Sequence, residues 1–270
     1  METELFVIEK STLTIPLLAN IPHSSIYIPS LIRPSFALSE NGLNTELLKM
    51  TDWFVDDLFS KISTIGGVVA KCNVSRLVVD PERFEDDEKE SMVCKGMGVI
   101  YTKTHDGRSL RKHLPSDIER DDLLNRYYRP YHKAVQDEAQ AMLDLFGQCL
   151  ILDCHSFSSK PLPYELVQDP NMPDICLGTD QFHTTKDLIE AIGGFFHKHD
   201  FSMALNRPFE GTYVPLKFLG KDERVSSIMI EINRRLYLDE DTGQKSDGFG
   251  KIKDMLGDVV QSLRAGYLNM

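Results

Sequence analysis

Residues 149–156 read CLILDCHS. A short apolar run is consistent with a buried strand, and this one runs into Asp153, Cys154 and His155. Side chains alternate across a strand, so Asp153 and His155 share one face while Cys154 points to the other. The preceding residues 116–147, SDIERDDLLNRYYRPYHKAVQDEAQAMLDLFG, carry a helical apolar pattern. Ser116 and Glu119 have capping-box spacing, and Pro130 should interrupt the helix because it removes a backbone donor and crowds the preceding turn. A long helix feeding a buried strand is the repeating unit of an α/β fold.

The same alternation extends both ways. TIPLLANIP (14–22), GGVVAKCN (66–73), VSRLVVD (74–80), GVIYT (98–102), DICLGTD (174–180), FSMALN (201–206) and SSIMIEINRRLY (226–237) read as strands. TELLKMTDWFVDDLFSKIS (45–63) reads as one amphipathic helix, TTKDLIEAIGGFFHKH as a helix beginning at Thr184 or Thr185, and residues 248–267 as a last helix. A mostly parallel or mixed sheet with helices on both faces follows. Its ligand site is expected at the carboxyl ends of the strands, where His23 and His155 fall. No Gly/Ser-rich or Pro-rich linker divides residues 1–270, so a single domain is expected.

The 30 Lys and Arg against 41 Asp and Glu leave a net charge of −11. Such a surface repels phosphate backbones and anionic lipid, and no run approaches the ~20 apolar residues of a membrane span. Nucleic acid and membranes are therefore poor partners, whereas a small anionic substrate needs local arginines. The N-terminal METELFVIEK lacks the basic and long apolar regions of a signal peptide. Five scattered cysteines without CxxC spacing suggest thiols in a reducing compartment, so a cytoplasmic location is expected.

His23 ends the apolar run before NIPHSSIYIP (20–29). Glu231 interrupts SSIMIEIN, where a carboxylate without a partner would be costly to bury, so either an exposed edge or a cation must meet it. Arg76 and Arg83 bracket RLVVDPER and have the chemistry to grip a carboxylate. His132 on the long helix and Asp52, Asp56 and Asp57 beside the polar edge of theirs read as ordinary surface or locally satisfied groups when taken alone. No GxSxG elbow and no HExxH motif is present. Two histidines, a carboxylate and a separate glutamate suit metal-dependent amide hydrolysis.

The segments PHSS, TDWFVDDL, VSRLVVDPER, YRPYH, LDCHS, DICLGTD, NRPFEGTYVP and IEINRRLY occur in an order that resembles the N-formylglutamate amidohydrolase family. The resemblance implies a three-layer α/β/α architecture with a mixed sheet, similar to zinc carboxypeptidases and aspartoacylases. It implies one Zn²⁺ per chain held by His23, His155 and Asp52, with Glu231 as the base. It further implies Arg76 and Arg83 on the substrate carboxylates, and Asn206, Arg207 and Gly211 at the pocket rim. The substrate class implied is a small anionic N-acyl amino acid. Two departures stand out: Ser25 replaces the family's usual glycine after PHS, and DPER replaces DLNR. The second puts Glu82 beside Arg83, where it is expected to offset that positive charge. A zinc carboxypeptidase or peptidoglycan-type amidase is the alternative enzymatic reading, and a non-catalytic acyl-amino-acid-binding protein the alternative from another class.

Overall fold

The computed structural model describes residues 4–10, 12 and 14–268. In chain order the elements are β1 (Phe6–Lys10), β2 (Leu17–Ile21), α1 (Glu40–Met50), α2 (Val55–Leu58), α3 (Lys61–Thr64), β3 (Val68–Cys72), α4 (Asp117–Leu123), α5 (Arg129–Phe146), β4 (Cys149–Phe157), β5 (Ile175–Gly178), α6 (Lys186–Lys198), β6 (Met203–Leu205), β7 (Val225–Asn233), β8 (Leu238–Asp239), β9 (Gln244–Lys245) and α7 (Phe249–Ser262). Seven strands form one sheet in the order β1-β3-β2-β4-β7-β5-β6. β3, β2, β4 and β7 are parallel to one another, β1 pairs antiparallel with β3, and β5 antiparallel with β7. The sheet is mixed and mostly parallel, as expected.

Helices cover both faces, and the side-chain alternation sorts the residues. Leu17, Ala19 and Ile21, Leu150, Leu152 and Cys154, and Ile228, Ile230 and Ile232 pack against α2, α3, α6 and α7. Leu18, Cys149, Ile151 and Val225 pack against α1, α4 and α5. The first face stays apolar as far as Ser156 near the end of β4. On the second, the apolar residues give way toward the carboxyl ends to Asn20, Asp153, His155 and Glu231, all buried. Because β2, β4 and β7 run parallel, these polar groups gather along one edge.

Local chemistry fixes the helix ends. The Ser39 and Thr185 hydroxyls accept from the N–H groups of Gly42 and Leu188, and Ser116 with Glu119 forms the expected capping box. A π-helical turn, Leu124–Tyr128, separates α4 from α5, and Pro130 sits in the first turn of α5. That interruption is the one the proline predicts.

Three expectations fail. The helix expected over 45–63 is three pieces, broken at Thr51–Phe54, where Phe54 adopts a left-handed φ of 61°. The residues of VSRLVVD are turns and loop, although Val74, Leu77, Val78 and Val79 are buried. GVIYT is also loop. Their backbone groups are satisfied without a neighbouring strand. Asp80 N–H donates to Val99 O, and the Arg111 guanidinium donates to the carbonyls of Leu77, Val78 and Tyr101. β1, an edge strand, was not anticipated, because its apolar run in METELFVIEK is only four residues, Leu5 to Ile8, between acidic neighbours.

Arg111 is buried, and burial draws its pKa down to about 10. Replacing it with Met should destabilise the protein by roughly 3 kcal/mol or more, because three buried carbonyls lose their donor. Urea unfolding measures this; a loss under about 1 kcal/mol would show that the loop does not depend on that side chain.

Candidate active site

His155 on β4 and Glu231 on β7 are register partners, so parallel pairing alone sets them side by side. His23 follows the end of β2 by two residues. The break after α1 turns Asp52 inward, and its N–H donates to His23 O at 3.0 Å. His155 Nδ1 then lies 3.3 Å from His23 Nδ1 and 3.1 Å from Asp52 Oδ2, with His23 Nδ1 3.7 Å from the same oxygen. All three residues are buried.

The outer nitrogens define the chemistry of the inner ones. His23 Nε2 meets Asp80 Oδ1 at 2.7 Å, and His155 Nε2 meets Asp153 Oδ1 at 3.0 Å. An ionised carboxylate only accepts, so each ring donates through Nε2 and, when neutral, presents a lone pair at Nδ1. Two lone pairs and a carboxylate oxygen therefore converge with nothing between them to donate. Protons or a metal cation must relieve that clash of acceptors. A cation suits the set better, since imidazoles backed by carboxylates are the usual surroundings of a histidine-bound metal. His23, Asp52 and His155 thus fit a metal such as zinc.

The charges around the site push the same way. Burial opposes ionisation of Asp52, but His155, His23 and Arg234 outweigh it and hold the carboxyl well below its usual range. Burial likewise opposes the Asp80 charge, but Arg76 and His23 favour it and hold the carboxyl well below its usual range. Burial alone would lower His155, yet Asp153 and Asp52 raise it. Glu231 is pushed by burial up to about 8, and its Oε2 has no hydrogen-bond partner.

A cavity of about 550 Å³ opens over these groups and also takes in Arg76, Arg83 and Gly211. The Arg76 guanidinium is fixed by Asp80 Oδ2 at 2.8 Å, while Arg83 Nε is buried without a hydrogen-bond partner. Asn206 and Arg207 do not line the cavity. Asn206 bonds Thr179 through both ends of its amide, and Arg207 pairs with Asp169 at 3.0 Å. Glu82 does not meet Arg83 as expected: its Oε1 accepts from Asn20 Nδ2 at 2.6 Å, beside Asp153. His132 is satisfied in place between Pro81 O and the Tyr213 hydroxyl. Asp56 and Asp57, read as solvated, pair with Lys71 and with Lys245 and Lys253.

Two residues central to this geometry carried no role in the sequence reading. Arg234 holds Asp52 Oδ1 at 2.9 Å and donates to Lys49 O and Ser156 O. Asp80 lies inside RLVVDPER and was given no role of its own. In NRRLY nothing distinguishes Arg234, which is buried, from Arg235, which pairs with Asp174 nearer the surface.

The family model described as N-formylglutamate amidohydrolase matches residues 15–238. The chain belongs to that family. A relative in the amidohydrolase family, the N-formylglutamate deformylase of Pseudomonas putida, is 26% identical over 230 residues, covering 84% of this chain and 83% of the relative. The N-formylglutamate deformylase of Pseudomonas aeruginosa is 25% identical over 259 residues, 93% of each chain. The crystal structure of an N-formylglutamate amidohydrolase from Ralstonia eutropha JMP134 superposes with a TM-score of 0.85 over 98% of both chains at 22% identity, which shows the shared fold.

Zinc held by this set would bind 10- to 100-fold more weakly in Asp80→Asn, because an amide no longer fixes His23 as a carboxylate does. Competition against a zinc-binding dye measures it; an unchanged affinity would detach Asp80 from the site.

Proposed function

We propose that this protein is a zinc-dependent amidohydrolase that removes an N-acyl group, formyl by default, from a small anionic N-acyl amino acid, with N-formylglutamate as the reference substrate. The observation that carries the proposal is the meeting of His23, Asp52 and His155 next to the unpartnered carboxyl of Glu231. The names of the Pseudomonas relatives support the substrate.

In this reading His23, Asp52 and His155 hold one zinc ion per chain. Bound there, zinc would acidify a water molecule toward a pKa of ~7 and polarise the amide carbonyl. Glu231, whose ionised form a cation held beside it would favour over the neutral form that burial prefers, takes the proton of the water that attacks the acyl carbon and passes it to the departing amine nitrogen. Asp153 and Asp80 keep the two imidazoles turned with Nδ1 inward, and Arg234 keeps Asp52 ionised and in place. Arg83 supplies an uncommitted N–H to a substrate carboxylate, and Arg76, anchored by Asp80, supplies charge beside it. Gly211 forms the cavity wall, while Asn206 and Arg207 act by tying down the segment that leads to it. The unpaired cysteines, four of them buried, support a cytoplasmic setting.

Glu231→Gln should retain about one zinc per chain and lose 10²- to 10⁴-fold in kcat on N-formylglutamate. His155→Ala should lose the metal itself. Metal content by mass spectrometry beside steady-state kinetics checks both. A Glu231→Gln enzyme with most of its activity would remove the base, and a wild type that takes up no zinc would remove the mechanism.

A further inference from the structure

Among the described residues, the buried side-chain polar atoms without a hydrogen-bond partner are Arg83 Nε, Glu165 Oε2 and Glu231 Oε2, and all three residues line the same cavity. Buried polar groups are rarely left unpaired, and three at one cavity mark the places a ligand completes. The proposed function uses Glu231 for the water and Arg83 for a carboxylate. Glu165 remains unused.

Glu165 is 8% exposed and sits in the loop between β4 and β5. The loop is braced around it: Glu165 N–H and the Gln168 side-chain amide both donate to Leu162 O, and the same amide donates to Glu165 O. Its carboxyl is thus presented by a fixed turn. Two of the other acidic side chains lining the cavity are occupied, and Glu210 is exposed. Glu90 accepts from the N–H groups of Phe84 and Met92, and Glu82 from Asn20. Burial pushes the Glu165 carboxyl up to about 7, against the pull of Arg234 and Arg76.

We infer that Glu165 is a specificity-determining residue that accepts a hydrogen bond from the substrate's side chain, and that the favoured N-acyl amino acid ends in a carboxamide rather than a second carboxylate. The inference rests on the amidohydrolase reading of the site. At pH 8.5, above its pKa of about 7, Glu165 would face a second carboxylate as acceptor against acceptor. An ammonium group would meet the charges of Arg76 and Arg234. A carboxamide brings a neutral N–H donor and avoids both conflicts. Sites built to pair a substrate N–H discriminate strongly against analogues that lack it.

The test compares N-formyl-L-glutamine with N-formyl-L-glutamate at pH 8.5 on zinc-loaded wild type, Glu165→Gln and Glu165→Leu, with calorimetric binding of both compounds alongside the kinetics. Wild type should favour N-formylglutamine at least ~10-fold in kcat/KM, through KM. Glu165→Gln, which can donate to a carboxylate, should bring the ratio to one or below. Glu165→Leu should weaken N-formylglutamine without improving N-formylglutamate. A wild-type ratio below one, or a ratio that neither variant moves, overturns the role of Glu165. If zinc-loaded wild type hydrolyses neither compound, the amidohydrolase reading fails, and calorimetry still decides the inference: equal binding of the two compounds overturns it, and a glutamine preference lost in Glu165→Gln upholds it.

Discussion

The inward Nδ1 atoms of His23 and His155, set against Asp52, are the constraint around which the rest is arranged. Each of these groups would be costly to bury alone, and each is backed by an opposite charge or an acceptor: Asp80 behind His23, Asp153 behind His155, Arg234 behind Asp52. The supports are themselves supported. Asp80 accepts from Arg76 and from the Tyr101 hydroxyl, and Asp153 from Asn20 Nδ2 and Tyr213 N–H. Asn20 in turn accepts from the Tyr131 hydroxyl at 2.6 Å. A polar network this deep holds its shape only while every member is satisfied. It fixes the two imidazole orientations that a metal ion requires.

Local regularity gives way where the network needs it. An unbroken helix through Asp52 would carry that side chain out along the polar edge beside Asp56 and Asp57. The left-handed Phe54 and the bond from Asp52 N–H to His23 O turn it inward instead. The loops carrying Arg76, Asp80 and Arg83 likewise forgo strand pairing. Arg111 and Val99 replace the missing ladder and leave the side chains free to converge on one point.

The fold class was legible because period-2 and helical patterns are written by burial, and burial is what the sheet enforces. β4 and β7 were read closely, and so was the face shared by Asp153 and His155. What failed was the inference from buried to extended: Val74 to Val79 are core residues held by a side chain, not by a strand. His23, His155 and Glu231 stood out because polar residues interrupt apolar runs. Asp52 stood out only through resemblance, since its own surroundings look like a solvated helix edge. Arg234 and Glu165 were silent, because their meaning lies in which atoms are paired and which are not, and spacing does not record that.

Glu82 shows how far residue identity can mislead without its neighbours. From the sequence, a glutamate in place of the neutral residue of DLNR sets a charge against Arg83. Instead the side chain turns to Asn20 and lies beside Asp153, with Oε2 3.8 Å from His155 Nε2. Burial and the Asp153 charge hold its carboxyl well above the usual range. The side chain thus turns away from Arg83, whose Nε lies 3.8 Å from Asp80 Oδ2 and makes no hydrogen bond. The cavity's Arg76 and Arg83 are matched by Asp80 and Glu90 rather than by Glu82.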